Sequence, residues 1–178
     1  MSQRLTARVW WALPIAFFIM CSGWALTSPV GSAPDDDFHL SSIWCAQGFR
    51  AGVCEETPAN PAARLVPANV VQASDCFRFK ADVSAGCTTS IMDDAGLVET
   101  ERVNVTASLY PPGFHAVMSV FVGPEVERSV LAMRLFNGAL TALVIAALLR
   151  LTPAGLASAS VLAITVTFIP LGLFVTAS

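Results

Sequence analysis

Apolar residues along this 178-residue chain gather into three blocks, 9–26, 129–149 and 154–177, and the span between the first two holds most of the charge. A bilayer's hydrocarbon core is about 30 Å thick and needs roughly 20 helical residues to cross. The second and third blocks meet that length. The first is slightly short and carries Trp10, Trp11 and Trp24, residues that favour headgroup level. Trp10 and Trp24 stand too close to mark both interfaces of an untilted helix. The pattern predicts an α-helical integral membrane protein of about three transmembrane helices (9–27, 129–149 and 154–177), with a large, mixed and irregular loop between the first two.

Within that loop, residues 27–34 hold Pro, Gly and Ser and predict an extended exit from the membrane. The run 35–44 begins with acids and places apolar side chains at Phe38, Leu40, Ile43 and Trp44. This predicts a short helix, acid-capped at its N-terminus, with a greasy side along the bilayer surface. Residues 46–73, with Pro58, Pro61 and Pro67, are loop-like. Residues 98–107 alternate and predict a strand of undetermined facing. The triplet Asn104-Val105-Thr106 has the form of a glycosylation sequon, a short pattern that carries no functional weight. The apolar stretch that follows Tyr110, to Val122, is too short to cross a bilayer, so 111–123 is expected to be interfacial or re-entrant. Gly123-Pro124 breaks it before the second membrane helix.

Composition strengthens the membrane reading: mean hydropathy is +0.63, and 54% of residues are hydrophobic against 13% charged. Orientation rests on arginines. Arg4 and Arg8 precede the first block and Arg150 lies between the second and third, so 1–8 and the turn 150–153 are expected to be cytoplasmic. The loop, 28–110 with its continuation to 128, is then extracytoplasmic, and the protein a multi-pass component of the cell membrane. Cysteines agree. Cys45, Cys54, Cys76 and Cys87 all fall in the loop and Cys21 in the first block, an arrangement expected of disulfides in an exported segment. Three connectivities are open, local pairing being the simplest. Zinc is disfavoured, since neither pair shows the two-to-four-residue ligand spacing. A cleaved signal peptide is the rival for the first block, but the apolar run is long and Pro34 opposes a cut after Ala33.

Asp35, Asp36 and Asp37, just outside the first helix, are the sharpest chemical feature. Their bland role is to complement a helix dipole, at about 0.3–1 kcal/mol each. Their functional role would be a general base, or a site for Mg or Mn formed by Asp35, Asp36 and His39. His39 and His115 are the only histidines, and both fall at the expected outer surface. Arg134, just inside the second helix, either snorkels or meets a phosphate.

The segment Ser32-Ala33-Pro34-Asp35-Asp36-Asp37-Phe38-His39-Leu40 resembles the Pro-Asp-Glu-Pro-x-His signature of a bacterial multi-pass membrane family of unknown function. Tyr110-Pro111-Pro112-Gly113-Phe114-His115 and Ala132-Met133-Arg134-Leu135 resemble that family's Tyr-Pro-Pro and Met-Arg segments. The family in turn resembles the GT-C glycosyltransferases, which use polyprenyl-phosphate sugars. Asp36 stands where the family has Glu, and Asp37 replaces its proline. The resemblance implies that this chain forms the N-terminal part of a GT-C fold. It implies sugar transfer to a cell-envelope acceptor, with Asp35 as base, Asp36 assisting, and His39, His115 and Arg134 binding substrate.

Three helices leave little wall for a lipid-carrier groove. The expectation is therefore an N-terminal portion of a longer transferase, completed by further transmembrane helices of its own chain or of a partner subunit. The alternative is a non-catalytic, membrane-anchored binding or scaffold module. A transporter subunit has little support, since Arg134 is nearly the only ionisable residue in the apolar blocks. No nucleic acid is expected as a partner.

Overall fold

The computed structural model describes residues 2–90, 96–153, 156 and 159–163. They divide into two units, one from the two ends of the chain (1–28 and 131–178) and one from its middle (29–130).

The first unit is built on helix α1 (Ser2–Thr27) and most of helix α6 (Val126–Leu151). Phe17, Cys21 and Ala25 of α1 meet Ala142, Ile145 and Leu149 of α6 in one core. Gly138 sits where an added Cβ would lie 3.2 Å from the Cβ of Cys21, so a small residue permits this approach. The outward faces remain apolar, with Ile15, Ile19, Leu143 and Leu148 each more than half exposed. Among the described residues, α6 is the one helix long and apolar enough to cross a membrane, and Trp11–Thr27 is a shorter apolar helix. Helix α1 ends where Thr27 turns its hydroxyl back on the Gly23 and Trp24 carbonyls and Pro29 follows. The third predicted helix, 154–177, lies largely outside the described residues, of which 159–163 are helical.

In the middle unit, helix α2 (Asp36–Cys45) is packed by helix α3 (Ala68–Val71), helix α4 (Asn104–Ala107), helix α5 (Gly113–Met118) and strand β2 (Arg64–Pro67). Phe38, Leu40, Ile43, Trp44, Ser41 and Ser42 are all buried. This corrects the expectation of a helix lying on the bilayer: its apolar residues fill the core of the unit. Ser41 and Ser42 are tolerated there because their hydroxyls donate to the Asp37 and Phe38 carbonyls at 2.6 Å. Strands β1 (Glu55–Glu56), β2 and β3 (Leu97–Thr100) form an antiparallel sheet in that order, Leu65 standing opposite Glu55 and Glu99. The alternation at 98–107 thus yields a strand only to Thr100, and the chain turns into α4 at Asn104. Two local disulfides, Cys45–Cys54 and Cys76–Cys87, staple the unit.

Candidate functional site

The acidic run enters the middle unit through a tight turn. Gly31 has φ +81°, and a Cβ there would lie 2.9 Å from the Ser74 backbone nitrogen, so only glycine lets the two segments meet. Asp36 then accepts the Ala33 N–H at 3.2 Å. Asp35 takes the left-handed conformation at φ +58°, which Asp tolerates better than most residues. Its carbonyl accepts the Phe38 and His39 amides at 3.0 and 2.9 Å and so starts α2. The expected side-chain cap is not made: Asp35 caps α2 through its backbone and turns its carboxylate elsewhere.

That carboxylate meets Arg102, whose Nη2 lies 2.9 Å from Asp35 Oδ1. The same guanidinium grips Asp37 as a fork, Nε to Oδ2 at 2.5 Å and Nη2 to Oδ1 at 3.3 Å. Hydrogen bonding to Asp37, outweighing partial burial, raises the Arg102 pKa above its ordinary value and keeps it charged. Arg78 approaches Asp37 Oδ2 at 3.5 Å and pairs with Asp75 at 3.2 Å. Asp37 is nearly buried, whereas the Asp35 side chain is 67% exposed. These groups line a cleft of about 660 Å³ formed by residues 31–37 with Ser74, Phe77, Arg78, Phe79 and Arg102.

The two histidines do come together. His39 Nδ1 and His115 Nε2 are 3.3 Å apart, with the rings stacked. Tyr110 packs on His39, and Phe38 is edge-on to both imidazoles. Asn104 fixes Tyr110 by giving its amide hydrogen to the Tyr110 carbonyl and taking the Tyr110 N–H, at 2.7 and 2.8 Å. A buried side chain so engaged is a structural clamp, which accounts for the sequon. His115 is buried, and desolvation, with the neighbouring His39, lowers its pKa.

A metal held by Asp35, Asp36 and His39 does not fit this arrangement. Asp35 pairs with Arg102, Asp36 closes its own turn and His39 faces His115. Among the described residues no three His, Cys, Asp or Glu side chains converge to hold an ion. Arg134 belongs to the other unit, where its Nη1 donates to the Ser28 carbonyl just past the end of α1 at 2.6 Å. Arg102 and Arg78 were the residues that sequence reasoning missed. Their partners lie 65 and 41 residues away, and the only signal was a few cations scattered through an acidic segment.

No curated protein and no solved structure matches the chain. A family model described as "Predicted membrane protein (DUF2142)" matches residues 17–178, and the chain therefore belongs to that family.

Proposed function

We propose that the chain is the N-terminal portion of a membrane glycosyltransferase of GT-C type, with a polyprenyl-phosphate sugar as donor and an extracytoplasmic acceptor. The middle unit would stand outside a multi-pass membrane protein. One observation carries the reading: Asp35, at the head of α2, holds an exposed carboxylate at a cleft that two guanidinium groups also line. Its volume, about 660 Å³, falls within the usual range for small-molecule sites.

In this reading Asp35 takes the proton of the acceptor hydroxyl as general base. The hydroxyl oxygen forms the bond to the anomeric carbon while the bond from that carbon to the phosphate oxygen breaks. The electron pair leaves with polyprenyl phosphate. The developing negative charge needs a cation, and Arg78 and Arg102 are better candidates than Arg134, because both share the cleft with Asp35. Arg102, through its contact with Oδ1, would fix the orientation of the carboxylate.

The second reading, a binding or scaffold module, is favoured by the same ion pairs: an Asp–Arg network also arises where charges merely hold a loop. One experiment separates the two. Membranes bearing the full-length protein are supplied with a radiolabelled polyprenyl-phosphate hexose, and incorporation into envelope material is followed. Asp35→Asn should lower transfer about 10²–10⁴-fold, the usual contribution of a general base, with membrane insertion intact. Transfer at the unaltered rate would sink the catalytic reading.

A further inference from the structure

Helix α5 and the 3-10 turn Ser119–Phe121 that continues it are apolar on the wrong side for a water-facing element. The inward face carries His115, Met118 and Ser119, all at most 3% exposed, and Gln47 donates to the Ser119 carbonyl and hydroxyl. The outward face carries Phe114, Val117 and Val120, spaced by three residues and between 49% and 68% exposed. Leu109 and Tyr110, also half-exposed or more, extend the run. A surface helix in water shows the opposite division.

The surface is neither loose nor charged. Asn104 holds Tyr110 in place through two hydrogen bonds. No Asp, Glu, Lys or Arg occurs between Arg102 and Glu125, so the segment that carries this face brings no such charge of its own to it. The next element along the chain identifies the occupant. Only three residues separate Val122 from α6, the helix long and apolar enough to cross a membrane. At about 3.3–3.6 Å per residue, the tether keeps the patch close to the point where α6 would enter lipid.

We propose that Leu109, Tyr110, Phe114, Val117 and Val120 form a bilayer-docking face that lies flat in the headgroup region. Such faces sink roughly 5–10 Å into the headgroup–acyl boundary, and Tyr110 suits that depth. A re-entrant course is disfavoured, because the inward face of the same helix is committed to the protein core. This docking is independent of glycosyl transfer and stands or falls without it.

The test uses the full-length protein in phosphatidylcholine vesicles with its disulfides intact. An environment-sensitive fluorophore is attached at Phe114→Cys, Val117→Cys or Val120→Cys, and at Phe79→Cys as control, Phe79 being 98% exposed. Expected are blue-shifted emission and quenching by doxyl-labelled lipid at the first three positions, with neither at 79. Quenching of all four by aqueous iodide would overturn the proposal. So would shielding from both quenchers, which would mean that protein covers the face.

Discussion

Asp37 is a buried carboxylate in the middle unit, and two arginines approach it. Arg102 supplies a two-pronged contact and Arg78 a looser one at 3.5 Å. Arg102→Met should therefore lower stability by about 1–3 kcal/mol, chiefly because a carboxylate is left under-paired. In a double-mutant cycle with Asp37→Asn, the two losses should be clearly less than additive in thermal or denaturant unfolding. Additivity would show that the fork contributes little. His115 makes a second residue-scale prediction. Its Nδ1 is buried with no hydrogen-bond partner, and burial followed by the charge of His39 lowers its pKa from the ordinary 6.5. The unfolded chain thus binds this proton at a higher pH than the folded one. The contribution of His115 to stability is complete above about 6.5 and is lost progressively as pH falls from there toward its folded pKa. The unfolding midpoint of the full-length protein should drop as pH falls below about 6.5, and His115→Gln should flatten that slope. An unchanged slope in the variant would remove His115 from the account.

Element by element, what could be read from the chain depended on how far apart the partners were. The local disulfides were the simplest pairing because Cys45 and Cys54, like Cys76 and Cys87, are close in sequence, and these pairs are the ones formed. Helix α2 was legible from its acids and apolar residues, but not its surroundings. It is packed on so many sides that even Ser41 and Ser42 are buried, and no greasy stripe remains to point outward. Strands β1 and β2 were hidden in a proline-containing stretch, being two and four residues long, too short for alternation to register. The disulfides also differ in setting. Cys45 and Cys54 are at most 2% exposed at the end of α2, whereas Cys76 and Cys87 are only partly buried and flank the exposed span 78–84. Thiol exchange needs access to a sulfur. Mild reduction of the folded protein should open Cys76–Cys87 first, as mass spectrometry of alkylated peptides would show. Replacing Cys45 and Cys54 together by Ser should cost roughly 2–3 kcal/mol, as loop closure over nine residues implies. The reverse order of reduction would mean that the end of α2 opens more readily than its burial suggests.

At the scale of the whole molecule, the chain returns to itself: residues 1–28 and 131–178 form one unit, and 29–130 are inserted between them. The first two hydropathy blocks coincide with α1 and most of α6, but a block has no direction, and nothing in an apolar run says which face meets a neighbour. The pairing is set by size instead. Phe17, Cys21 and Ala25 recur every four residues on α1, and Gly138 leaves the space opposite Cys21 that lets α6 approach. The site was similarly half legible. Short motifs point to Asp35, Asp36, His39, His115 and Arg134, but of these only Asp35 and Asp36 line the cleft; the two histidines pair with each other outside its lining, and the arginines that line it come from distant parts of the middle unit. The helix pairing can be tested directly. A Cβ at 138 would lie 3.2 Å from that of Cys21, a few tenths of an ångström short of the span of about 3.5–4.5 Å that disulfides bridge. Gly138→Cys should therefore form a disulfide with Cys21 when membranes bearing the full-length protein are mildly oxidised. If the chain is then cut once between Cys87 and α6, both native disulfides stay within the N-terminal fragment. Any link to the C-terminal fragment must then run through residue 138. The fragments should migrate together without reductant and separate with it. Separation in both conditions would show that α1 and α6 do not meet at Cys21 and Gly138.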